Sequence, residues 1–231
     1  MKSLFITFVI LIGVTIGSVV LAKVPIDQVP MYGGMDRSQH DLLNKADERL
    51  IEDVTQQFGS REKASMAFVE AAFSYYQRGD NQKAMARFNQ AWLINPNNIE
   101  VYWGFSSILH DAGKYCEGFK ILELGLAKGS LQAGYKPDLA VLYAGCAMHG
   151  EQVTDDEKKQ YLKKSTDIFI EAESDEAVPK AYLYFQWARV LNAQEQYEQA
   201  WTIVKKYRSV TDIPFDEKLL KKLTNNMAEP K

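Results

Sequence analysis

The chain has 231 residues, with 27 lysine and arginine side chains against 30 aspartates and glutamates, a net charge of −3. The two signs are interspersed, so no basic block marks a nucleic-acid or anionic-lipid surface. Two cysteines permit one disulfide at most and cannot form a disulfide framework, so packing must carry the fold.

The first 22 residues read as a signal peptide. Lys2 supplies a positive charge, Leu4 to Leu21 contains no charged residue, and Val20-Leu21-Ala22 forms a small-x-small exit, with cleavage expected after Ala22. The same stretch also suits an N-terminal anchor, since roughly 18 apolar residues is the lower limit for crossing a bilayer. Either way the remainder is expected to be exported, with the periplasm as its compartment and any membrane contact made through an uncleaved N-terminal segment. Residues 23–37 hold two prolines and Gly33-Gly34 without periodicity, and read as an extended leader. Residues 38–58 place Leu42, Leu43, Ala46, Leu50, Ile51 and Val54 at helical spacing, with Ser38 as the expected cap and Gly59 as the stop.

A repeat begins after Ser60. Residues 65–98 put Phe68, Ala71, Ala72 and Tyr75 on one helical face, break at Gly79-Asp80, put Ala84, Phe88 and Ala91 on a second face, and stop at Pro96. This 34-residue unit resembles the tetratricopeptide repeat (TPR), whose small positions fall on Ala72, Ala84 and Ala91 and whose exit proline falls on Pro96. The small residues allow close helix approach, and Ala71 is the one departure toward a smaller side chain. A second unit, 99–134, carries Tyr102, Phe105, Leu109, Gly113, Tyr115, Gly118, Leu122 and Gly125, then loses register in a long exit through Gly129 to Pro137. A third, 137–178, is degenerate, with helices expected over 139–149 and 158–172 around an insert capped by Thr154 or Asp155. A fourth, 181–210, returns to pattern at Tyr184, Trp187, Ala188, Leu191, Tyr197, Ala200 and Val204. Residues 214–231 read as a capping helix and tail. The resemblance spans roughly residues 65–210 and extends to exported bacterial TPR proteins without an assigned activity. It implies an all-α, right-handed superhelix of about four hairpins with flanking helices.

The resemblance also implies where binding would occur. In the family, the first helices line a concave wall. Carried onto this chain, those positions include Phe73, Tyr76, Trp103, His110, Tyr182, Phe185 and Arg189, with Leu139 and Leu142 from the third unit. Phe73, Tyr76, Trp103, Tyr182 and Phe185 are aromatics beyond the packing consensus, which suits a peptide groove. The alternative is that the leader, through VPMYGG, fills this wall itself. Val69 and Phe73 stand where the family's carboxylate clamp has lysine and asparagine, so that binding mode is not implied. Cys116 and Cys146 fall on neighbouring helices of such a stack and are expected either to form a disulfide or to pack as two buried thiols. His110, His149 and the cysteines form a weaker metal alternative, and no metal or other cofactor is assigned. No nucleophile, zinc or nucleotide motif occurs, so a non-enzymatic scaffold for a protein or peptide is expected. Two further possibilities are an envelope-complex assembly or stability factor using the convex face, and a small-ligand or metal-binding module.

Overall fold

Helical periodicity accounts for the α-helices, and side-chain caps close five of their starts. In the computed structural model residues 24–129 and 134–230 are described; the expected signal or anchor and four residues of the second unit's exit lie outside them. Among the described residues there are ten α-helices and no strand: α1 (Asp41–Phe58), α2 (Arg61–Gln77), α3 (Asn81–Ile94), α4 (Ile99–Asp111), α5 (Tyr115–Leu126), α6 (Tyr135–His149), α7 (Asp155–Ser174), α8 (Lys180–Ala193), α9 (Tyr197–Val210) and α10 (Glu217–Asn226). No described helix is long and apolar enough to cross a membrane. Side chains close the helix starts: Ser60, Asp80, Asn98 and Asp216 each accept a backbone N–H of the first turn, and Thr154 forms a reciprocal capping box with Glu157. Each such cap stabilises its helix by about 1 kcal/mol.

Consecutive helices pair as hairpins: α2 with α3, α4 with α5, α6 with α7, and α8 with α9. The same turn joins three of these pairs. Asp80, Lys114 and Gln196 donate their backbone N–H groups to the carbonyls of Tyr75, Leu109 and Leu191, at 3.0, 2.8 and 2.9 Å. This 6→1 bond requires a left-handed residue just before it. That residue is Gly79 (φ 77°), Gly113 (φ 73°) and, against the local preference, Glu195 (φ 60°).

Small residues set the helix spacing. Ala72, Ala84 and Ala91 are fully buried around Phe88, whose ring meets Phe73 edge-on at 5.0 Å and Phe105 at 6.1 Å. A Cβ on Gly104 would lie 2.2 Å from the Phe88 ring, and one on Gly125 would lie 2.6 Å from Tyr102 Cβ. In the third hairpin Ser165 is buried and donates to the Ala140 carbonyl at 2.8 Å, so a polar side chain serves a small position without leaving its hydroxyl unbonded. Stacked rings join successive hairpins: Phe119 on Tyr143 at 4.4 Å, and Phe169 on Trp187 at 5.4 Å. At the C-terminal end Leu219 and Leu223 of α10 are buried in the last core cluster.

Three details differ from the sequence expectations. The described leader is not extended: it forms short 3-10 turns at Ile26–Gln28, Pro30–Gly34 and Arg37–Gln39, with Met31 and Tyr32 left-handed. The buried amide of Asn89 organises it, donating to the carbonyls of Asp27 (2.8 Å) and Val29 (2.9 Å) and accepting the Tyr32 N–H (3.2 Å). Arg37 lies over the Tyr32 ring and pairs with Asp47 of α1, its Nε 2.6 Å from Oδ2. Ser38 is not the α1 cap, because it lies in the last 3-10 turn, where Asp36 accepts its N–H; His40 occupies the cap position without a side-chain bond. Finally, α6 begins at Tyr135 rather than near 139, because Pro137 falls in the first turn, where an absent N–H costs no hydrogen bond.

Cys116 and Cys146 are joined in a disulfide, their Cα atoms 4.7 Å apart, which staples α5 to α6 across the irregular exit. Gly150 leaves room for it, since a Cβ there would lie 2.7 Å from Cys116 Sγ.

Replacing Glu195 with glycine should stabilise the fold by about 0.5–1 kcal/mol, by relieving the left-handed strain; urea unfolding measures it. Reducing the disulfide should lower stability by roughly 3 kcal/mol, from the restored freedom of the unfolded loop, read as a shift in the urea midpoint with and without reductant.

Candidate functional site

The first helices of the four hairpins, α2, α4, α6 and α8, lie in one row, with contacts from α2 to α4, α4 to α6 and α6 to α8. Their shared face encloses a cavity of about 360 Å³. Phe73 and Tyr76 enter it from α2, Trp103, Ser106, Ser107, His110 and Asp111 from α4, Asp138, Val141 and Leu142 from α6, and Tyr182 and Gln186 from α8. Four aromatic side chains thus surround two carboxylates. The volume lies at the low end of ligand cavities, about 300–1,000 Å³.

Asp138 is the polar centre. Its Oδ2 accepts the Trp103 indole N–H at 2.8 Å, and its Oδ1 accepts the Tyr182 hydroxyl. Gln186 Nε2 donates to the Tyr182 oxygen at 2.8 Å, and Arg189 Nη1 donates to Gln186 Oε1 at 2.7 Å. A chain of oriented dipoles therefore runs along α8 from Arg189 through Gln186 and Tyr182 to the carboxylate on α6, and the Trp103 bond adds α4. Burial pushes the Asp138 carboxyl above its ordinary range, even though the Tyr182 and Trp103 hydrogen bonds and the charges of His110 and Arg189 oppose the shift. Burial and the Asp138 charge hold the Tyr182 phenol neutral, well above its usual titration range. Burial and the neighbouring Asp111 carboxylate do the same to Tyr76.

The expected groove residues divide. Phe73, Tyr76, Trp103, His110 and Tyr182 converge on the cavity. Phe185 and Arg189 do not line it. Both face a smaller depression beside α10, where the Phe185 ring packs edge-on against Phe215 at 5.8 Å. The aromatics are also less surplus than composition suggests, because Phe73 packs on Phe88 and on Trp103, the latter at 5.9 Å, and so belongs in part to the core. Leu142 lines the cavity, whereas Leu139 is buried among Phe119, Leu122 and Tyr143. Asp138 and Gln186 were missed. The signal for Asp138 was present: once Pro137 is placed in the first turn of α6, the next residue falls on the inner face.

None of the described leader residues lines the cavity. The leader docks on α3 through Asn89 instead, so the expectation that VPMYGG fills this wall does not hold for the described segment. The disulfide removes both thiolates from the proposed His110, His149, Cys116 and Cys146 metal set. Among the described residues no group of three or more His, Cys, Asp or Glu is placed to hold a metal ion. The Ser106 and Ser107 hydroxyls donate to the Trp103 carbonyl, at 2.7 and 2.9 Å, rather than to His110.

The raised carboxyl sets a pH dependence. A folded pKa above the unfolded value of about 3.9 means that the native state holds this proton more tightly, so Asp138 costs stability as pH rises from that value through its folded one. Wild type should therefore lose stability relative to Asp138→Asn across that interval and stay offset above it, as followed by urea unfolding of both proteins at a series of pH values.

No family model matches the chain, and neither does any curated protein or solved structure.

Proposed function

We propose that this chain is an exported TPR-type scaffold, a right-handed superhelix of about four hairpins, that binds a protein or peptide segment in the aromatic cavity along its first helices. The observation that carries the proposal is that α2, α4, α6 and α8 all contribute side chains to one cavity. In a stack of helical repeats this is the inner surface, which suits an extended ligand crossing several units. The recurrence of one turn geometry at Gly79, Gly113 and Glu195 supports the repeat assignment, as does the burial of the small positions Ala72, Ala84, Ala91, Ala188 and Ala200. The Cys116–Cys146 bond supports export, since such bonds persist in oxidising compartments. Rigid rings bury area with little loss of side-chain freedom, so Phe73, Tyr76, Trp103 and Tyr182 suit binding better than flexible side chains would.

A photoreactive benzoylphenylalanine at Tyr182, which is 38 % exposed, tests the proposal against one at Ile170 on α7, which is 54 % exposed. Irradiation of intact cells should trap a partner polypeptide from position 182, and Tyr76→Ala should reduce that adduct at least several-fold. Adducts from position 170 alone would instead place the partner outside the cavity, the arrangement expected of an assembly factor working through its convex face.

A further inference from the structure

We propose that the cavity seats a basic side chain of the bound peptide, a lysine ammonium or an arginine guanidinium, with Asp138 as its counter-ion and the rings of Phe73, Tyr76, Trp103 and Tyr182 as its walls. This rests on the peptide-groove proposal above and adds the chemistry of the ligand.

Three observations carry it. The first is a carboxylate with no direct ion pair. Trp103 and Tyr182 hold both oxygens of Asp138 in place, yet each oxygen can accept a further bond, and among the described residues no basic side chain pairs with it directly. Arg189 does not pair with it: its guanidinium is engaged by Gln186 and lies 5.7 Å from the Phe185 ring, between the depression beside α10 and one beside His110 and His149. The neutral donors orient the carboxylate, and the charges of His110 and Arg189 act on it without forming an ion pair. The second is the wall. Trp103 and Tyr182 turn their N–H and O–H edges to the carboxylate, and the rings of Phe73 and Tyr76 supply apolar surface against which the stem of a lysine or arginine can lie. The third is a second acid of the same sign, Asp111, which lines the cavity beside His110, whose Nδ1 lies 3.0 Å from Asp111 Oδ1.

The alternatives fit less well. An acidic side chain or a C-terminal carboxylate would meet Asp138 and Asp111 in a confined, poorly hydrated space. An apolar side chain would displace water from Asp138 and leave its charge uncompensated, which is costly. An alkylammonium or guanidinium satisfies both parts of the site, with an apolar stem against the rings and a charged head at the carboxylate.

The test is calorimetric titration of the full folded protein with the blocked pentapeptide acetyl-Ala-Leu-Lys-Leu-Ala-amide, its norleucine analogue and free butylammonium. The lysine peptide should bind at least tenfold more tightly than the norleucine peptide. In Asp138→Asn, with helicity checked by circular dichroism, that ratio should fall to near one. The wild-type ratio stands without the variant, so a misfolded Asp138→Asn would not spare the proposal. Equal binding of the two peptides, or no binding of either, overturns the basic-side-chain assignment, and butylammonium matching the lysine peptide overturns a peptide as its source. The groove proposal itself falls only with loss of the Tyr182 cross-link, so the two failures are distinguishable.

Discussion

The constraint on which the structure depends is close approach between helices, and it is met wherever a side chain is small. Ala72, Ala84 and Ala91 let α2 and α3 meet around Phe88, and Gly104 then lets α4 come onto the same ring. Gly118 extends this to the next junction, where a Cβ would lie 2.6 Å from a Leu142 methyl. Larger residues here would push hairpins apart and forfeit the dense packing that makes burial favourable. The same approach brings α2, α4, α6 and α8 into one row and so creates the wall on which Trp103, Asp138 and Tyr182 can meet. The cavity is a consequence of how the hairpins stack.

Asp138 runs against the economy of this arrangement. A leucine at that place would meet no desolvation cost, whereas the carboxylate is disfavoured by burial, a cost offset by two donated hydrogen bonds and the charges of His110 and Arg189. Polar groups that weaken a fold while remaining well ordered are typical of sites shaped for something other than stability. The dipole chain from Arg189 through Gln186 and Tyr182 keeps the carboxylate oriented and joins α8 to α6, while the Trp103 bond joins α4 to the same carboxylate.

The irregular parts of the stack are braced by specific bonds. At the second exit the Cys116–Cys146 bond ties α5 to α6, the helix that also carries Asp138, while Lys136 pairs with Glu171 and Asp175 to hold α6 against the end of α7. At the next joint the Lys180 ammonium donates to the carbonyls of Ala172, Glu173 and Asp175, closing the open end of α7 with a favourable charge. At the N-terminal end a single buried amide, Asn89, gathers three backbone groups of the leader.

By itself the sequence determined the helical character and the breaks between helices, because these depend on local patterns: apolar spacing near 3.6 residues, Gly79 and Gly113 at turns, and Thr154 at the start of α7. The resemblance to TPR units also marked Phe73, Tyr76, Trp103, His110 and Tyr182, which the row of first helices gathers around one cavity. Tertiary structure alone decided the rest. Phe185 and Arg189 were expected on the same wall, yet Phe185 packs on Phe215 and Arg189 bonds to Gln186, and no local pattern records what a later helix will cover. The leader's course depends on Asn89, some sixty residues away in the chain. Asp138 became central only when α4 and α8 brought an indole and a phenol to its two oxygens. Hydrogen bonds between distant segments have no sequence period, and the chemistry of the cavity depends on them.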